Sequence, residues 1–206
     1  MCGSFVRGAG TLWLLATAHL LISAQFVVAQ ERTQIDFDAV PMIHFPAGSR
    51  IVSAYPAFED YAHMLFDLCD ALKLSGKECA IFPMNAKLGG NALATIVDGN
   101  PIIVYDRELS AQVGYQGAEM IIAHELGHHR CGHLGKAVDA RHELQADAFA
   151  GAAARLRGKS LKDALAAVTL FSSRAGKTHP ARDDRAAAIT AGWSDPSAGR
   201  ACQLPR

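Results

Sequence analysis

The apolar positions Phe58, Tyr61, Ala62, Leu65, Cys69 and Leu72 recur at spacings of three and four, between Pro56 and Gly76. That rhythm predicts an amphipathic helix from Pro56 to about Leu74. The period then shortens into three β-like pieces near Cys79–Phe82, Ala92–Val97 and Pro101–Tyr105. Asp98-Gly99-Asn100 joins the last two with residues that accept positive φ, which predicts a hairpin. Beyond Tyr105 the helical period returns. It predicts helices from Gly117 to His129 and from Val138 to about Arg157. A third is opened by the capping-box order Ser160-Leu161-Lys162-Asp163 and runs to about Ser173, and a fourth runs from Pro180 to near Gly192. Ala146, Ala150, Ala153 and Ala154 keep the second of these thin, so that a neighbouring helix can come close. Residues 30–55 mix Pro41, Pro46, Gly48 and Ser49 with short apolar runs, and read as an irregular lead-in with one strand near Ile51–Ala54. Residues 194–206 read as a tail. The expected fold class is α+β: a single domain over residues 30–206, with a small antiparallel or mixed sheet packed on several helices.

Residues 1–29 stand apart. They carry one charged side chain, Arg7, ahead of an apolar run from Leu12 to Val28, with Ala29 followed by polar Gln30-Glu31-Arg32. This is the layout of a cleaved signal peptide. The rival is an uncleaved membrane anchor, since Thr11 to Ala29 is long enough to cross a bilayer, but His19, Ser23 and Gln25 weaken a lipid-facing helix. The expected location is therefore exported, periplasmic or secreted, with no stable membrane insertion after removal of the signal.

Charge and cysteine content narrow the class. Lys plus Arg number 20 and Asp plus Glu number 20 in 206 residues, with no dense basic run, which excludes attraction to nucleic acid by counterion release. The remaining Cys69, Cys79, Cys131 and Cys202 are even in number and contain no C-x-x-C pair. A four-cysteine zinc knuckle is disfavoured, and disulfides in an oxidising compartment are expected. Three pairings are open. Joining Cys69 to Cys79 and Cys131 to Cys202 would close a short local loop and tie down the tail.

The candidate chemistry lies in His124-Glu125-Leu126-Gly127-His128. On a helix, residues four apart differ by about 40° around the axis, so both imidazoles face one side and can share a tetrahedral metal. Glu125 lies about 60° around from His128, within reach of a metal-bound water. Such a site binds Zn²⁺ and lowers the pKa of that water to about 7. H-E-x-x-H alone arises by accident, so context must decide. Glu143 and Asp147, one turn apart on the next helix, are either two solvated acids or a buried pair, and the small apolar residues after them favour burial. A third histidine ligand is disfavoured. The three-histidine pattern needs Gly at 131 and His at 134, where this chain has Cys131 and Leu134. His129 is turned about 100° away, and His133 is one place short. Glu143 is the expected third ligand.

The segments Asn91-Ala92-Leu93-Ala94, GAEMIIAHELGHH, HELQADAFAG and Thr178-His179-Pro180 with Arg185, in that order, resemble the HtpX-like and CAAX-prenyl-protease-like zinc endopeptidases over about residues 56–190. The resemblance implies a zincin-like (gluzincin) fold, one Zn²⁺ on His124, His128 and Glu143, and Glu125 as general base. It also implies that Asp147 orients a zinc-binding imidazole. His179 and Arg185 are either a helix cap and a surface charge, or groups that face the cleft and steady an oxyanion; the resemblance favours the second. Residues 91–97 are either core strand or an edge strand that aligns an extended peptide, and the resemblance favours the edge. The expected partner is a peptide or protein substrate and the expected activity zinc-dependent endopeptidase. The rivals are a non-catalytic zinc-stabilised binding or chaperone module of the cell envelope, and a zinc hydrolase of a non-protein amide.

Overall fold

The computed structural model describes residues 42–204 apart from Val138 and Thr178. The signal-peptide reading of residues 1–29 lies outside the described residues, as does the lead-in up to residue 41. From residue 42 onward the lead-in is not irregular. Strands β1 (Ile43–Ala47) and β2 (Arg50–Pro56) form an antiparallel hairpin whose turn uses Gly48 at φ +62°. Pro46 obscured the first strand in the sequence, but β1 is an edge strand, where a missing N–H can be tolerated.

Helix α1 (Glu59–Ala71) begins later than the Pro56 start expected, because Pro56 ends β2, opposite Met84. Glu59 and Asp60 occupy its first turn, where acids complement the helix dipole. The next strand, β3 (Phe82–Asn85), is also displaced from the expected Cys79–Phe82, since Cys79 sits in a turn and is bonded to Cys69 on α1. Strands β4 (Ala92–Val97) and β5 (Asn100–Tyr105) form the expected hairpin, with Asp98 at φ +49° and Gly99 at φ +80° in its turn.

The protein is thus mixed α/β, with a five-stranded sheet in the order β1-β2-β3-β5-β4. It is mixed because β3 pairs with β5 in parallel while every other pair is antiparallel. This order puts β4 on an edge. Alternation along β5 divides the core: Ile103 and Tyr105 face the helices, while Ile102 and Val104 pack with Phe45, Ala54 and Met84.

Three helices carry the rest. Helix α2 (Leu109–Arg130) starts before the predicted Gly117, but Gly114 breaks it at φ +71°, so the stretch that follows corresponds to the predicted one. Its Ile122, Ala123 and Leu126 are buried. Helix α3 (Ala140–Leu156) is capped by Asp139, whose side chain accepts from the Arg141 amide at 2.8 Å. Its run of alanines from Ala146 to Ala154 is buried between α2 and α5 (Arg182–Ser194). Gly127 lets α2 come close to α3, since a Cβ there would lie 3.1 Å from the Ala146 Cα and 3.2 Å from the Phe149 Cβ.

The predicted third helix is cut short. The Ser160–Asp163 capping box forms, but α4 covers only Leu161–Ala164, and a 3₁₀ turn over Ala166–Leu170 replaces the rest. The β-branched pair Val168-Thr169 disfavours regular helix there. The described part of the tail is structured as well: α6 (Pro196–Arg200) packs on α3, and Cys202 is bonded to Cys131. Both disulfides follow the pairing weighed above. No helix among the described residues is long and apolar enough to cross a membrane.

Candidate metal centre

Helix α2 presents His124 and His128 to α3, which answers with Glu143 and Asp147, while Glu125 meets the Ala94 amide on β4. His124, His128 and Glu143 offer three ligand atoms within 4.8 Å of one another. The two imidazole Nε2 atoms are 3.0 Å apart. Glu143 Oε2 lies 3.5 Å from His124 Nε2, and Oε1 lies 3.5 Å from His128 Nε2. Two nitrogen lone pairs and a carboxylate aimed at one small volume repel each other unless a positive charge sits among them. Glu143 Oε2 is, moreover, buried without a hydrogen-bond partner among the described residues. Buried acceptors are ordinarily satisfied, so this oxygen is suited to a cation. His/His/carboxylate is a donor set that zinc accepts.

The second nitrogen of each ring is also engaged. His124 Nδ1 is 2.9 Å from Asp147 Oδ1. Asp147 is almost wholly buried and in turn accepts from Arg185, at 2.7 Å from Nε and 2.8 Å from Nη2. The Arg185 guanidinium lies 3.8 Å over the Phe171 ring. Arg185 is therefore not a surface charge: it is buried, lines the cleft, and clamps Asp147, which orients His124. His128 Nδ1 faces His133 Nδ1 at 3.0 Å.

The charges follow from these contacts. Burial alone would depress the His124 pKa, but the Asp147 carboxylate beside it prevails, so without metal it is pushed up to about 10. Burial and the His124 charge together take His128 down to about 3. Burial works to raise the Glu143 pKa, yet the charged His124 ring 3.5 Å away holds it at about 2. Glu125 moves the other way. Burial pushes its carboxyl up, opposed by the His124 charge and by the Ala94 backbone amide. A carboxyl so placed holds a proton more readily than an ordinary glutamate.

The remaining candidates surround the same cleft, of about 970 Å³. Asn91 and the β4 residues Ala92, Leu93 and Ala94 line it, as does His179. His179 precedes α5 in the chain and is not in its first turn, which begins at Arg182 after Ala181. Its half-exposed ring brings Nε2 to 3.5 Å from Glu143 Oε2. His129 faces away and sets its Nε2 2.9 Å from the Ile102 carbonyl, fastening α2 to the sheet. Two neighbours were not assigned from the sequence. His133 fails the three-histidine spacing, and Gln145 has no assigned role within HELQADAFAG, yet their side chains are 3.2 Å apart, with His133 beside His128. No protein-family model, curated protein or solved structure matches the chain.

Proposed function

We propose that the chain is an exported zinc metalloendopeptidase of zincin-like organisation, related to the HtpX-like and CAAX-prenyl-protease-like enzymes. The observation that carries this reading is the convergence of His124, His128 and the unsatisfied Glu143 carboxylate beside an edge strand and an open cleft. The disulfides and the apolar N-terminal run support export. His124, His128 and Glu143 would hold the zinc. When bound there, zinc supplies Lewis acidity, lowering the pKa of a water to about 7 and polarising a carbonyl.

The protein's own residues do the remainder. An extended peptide adds to the free side of β4 along Asn91 to Ala94, apart from the Asn91 carbonyl, which accepts from the Asp106 amide, and the Ala94 amide, which donates to Glu125. Glu125 takes the proton of the attacking water and delivers it to the leaving nitrogen, a task for which its raised pKa suits it. His179, which lines the same cleft, steadies the charge that develops on the carbonyl oxygen. Arg185 and Asp147 hold His124 in register. Three ligands beside a cleft favour a catalytic site over a structural zinc, which is normally closed by four protein ligands. The free strand edge favours a peptide over a non-protein amide.

Glu125→Gln tests the reading. The variant should bind zinc as the parent does and lose casein hydrolysis by several orders of magnitude, and equal cleavage by the two proteins would refute it.

A further inference from the structure

We propose that His133 and Gln145 are positioning residues of the metal centre, which fix the tautomer of His128, and that the Cys202 carbonyl in the disulfide-held tail fixes them in turn. This rests on reading the His124, His128 and Glu143 cluster as a metal site.

The chain of contacts starts at a group with one possible role. A backbone carbonyl only accepts, so the Gln145 atom 2.9 Å from the Cys202 oxygen is its amide nitrogen. The other end of the amide, Oε1, then faces His133 Nε2 at 3.2 Å. That oxygen also only accepts, so the His133 proton resides on Nε2. In a neutral ring this leaves Nδ1 as a bare acceptor, and it lies 3.0 Å from His128 Nδ1. His128 must therefore donate from Nδ1, and its lone pair on Nε2 points at His124 and Glu143. With the opposite polarity, His128 would aim a proton at the place a cation needs, and two Nδ1 lone pairs would meet at 3.0 Å.

The surroundings hold this geometry. His133 is buried, its amide donates to the His128 carbonyl at 3.0 Å, and the His142 ring stacks on it with centroids 4.4 Å apart. Cys131 lies two residues before His133 and is bonded to Cys202, so both ends of the relay are tied to one disulfide. Gln145 lies on α3 between Glu143 and Asp147. One helix thus supplies a ligand, the outer partner of His124 and, through His133, the orientation of His128. Outer partners of this kind are worth about 10–100-fold in metal affinity.

Two measurements test the proposal under non-reducing conditions. Histidine side-chain ¹⁵N NMR of the unaltered, metal-free protein should find the His133 proton on Nε2 and a His128 proton on Nδ1. Finding His128 protonated at Nε2 alone would overturn the relay, whatever the variants do. Zinc affinity by chelator competition should fall about 10–100-fold in His133→Phe and in Gln145→Leu. His133→Asn, whose Oδ1 stands where Nδ1 stood, should recover most of the loss, which a role in packing alone would not permit. Affinity unchanged in both His133→Phe and Gln145→Leu would also overturn the proposal. A parent that binds no zinc would instead refute the metal reading, and the tautomer measurement distinguishes that failure from a failure of the relay.

Discussion

The Nε2 atoms of His124 and His128 stand 3.0 Å apart, and Asp147 and His133 occupy the far nitrogens of the two rings. Two acceptors at this distance need a proton or a cation between them. The metal-free site meets that need with the proton on His124, which donates to His128, and zinc would have to displace it.

Zinc uptake should accordingly release about one proton at pH 6, below the pKa of about 7 of a zinc-bound water, because His124 is pushed up to about 10 while His128 at about 3 and Glu143 at about 2 are already deprotonated. Affinity should rise about tenfold per pH unit until His124 titrates. The same shift has a sign for stability. A folded-state pKa above the ordinary 6.5 stabilises the metal-free fold fully below that value, and the gain disappears as pH rises through about 10. Calorimetry in buffers of different ionisation enthalpy reads the proton count, and zero release would show that His124 is neutral before zinc arrives.

The Asp147–Arg185 pair should behave as a unit. Arg185→Met leaves a carboxylate that is 1% exposed with His124 as its remaining charged partner, which should cost about 3–5 kcal/mol. The double variant Asp147→Leu with Arg185→Met should recover much of that stability yet bind zinc more weakly, since His124 loses its outer partner. Urea denaturation and chelator competition on the same samples check both halves. A double variant as unstable as Arg185→Met would show that burial of an unpaired charge is not the cause.

Much of this centre was legible because helical spacing maps directly onto one face. His124, Glu125 and His128 meet on α2, and Glu143 and Asp147 meet on α3, as four-residue spacing requires. The β4–β5 hairpin was equally plain, since Asp98-Gly99 marks a turn by local chemistry. What escaped depends on contacts between residues distant in sequence. Arg185 could be assigned a charge but not a partner, and only the crossing of α3 and α5 commits it to Asp147. Gln145 acquires its role from Cys202, 57 residues away, through a disulfide whose pairing was one of three. The β1 strand was hidden by Pro46, which is tolerable only at a sheet edge, and edge position is a tertiary property.

The two disulfides should differ in consequence. Cys131–Cys202 closes a separation of 71 residues and Cys69–Cys79 one of 10. Loop entropy then gives about 4 kcal/mol for the first and about 3 kcal/mol for the second. Replacing Cys131 and Cys202 by serine should lower stability more, and should also weaken zinc binding by freeing the carbonyl that orients Gln145. Replacing Cys69 and Cys79 should leave zinc affinity unchanged. Thermal unfolding and zinc titration of the two double variants provide the comparison, and equal zinc affinity in both would separate the tail from the metal centre.

Gly127 sets the distance between the two ligand-bearing helices. An added methyl would meet the Ala146 Cα at 3.1 Å, the Ala146 oxygen at 3.2 Å and the Phe149 Cβ at 3.2 Å, and two of these three are backbone atoms that cannot rotate away. Gly127→Ala gains about 1 kcal/mol in helix propensity, against about 1–3 kcal/mol for overpacking. Net stability should therefore stay level or fall by up to about 2 kcal/mol. Metal affinity should fall clearly, because α2 must shift by some tenths of an ångström from α3, and Glu143 moves with α3. The informative result is that dissociation of the two effects, read by urea denaturation and zinc titration on one preparation. Affinity equal to the parent's would mean that the Glu143 side chain absorbs the shift, and that close helix packing is not what holds the ligand set together.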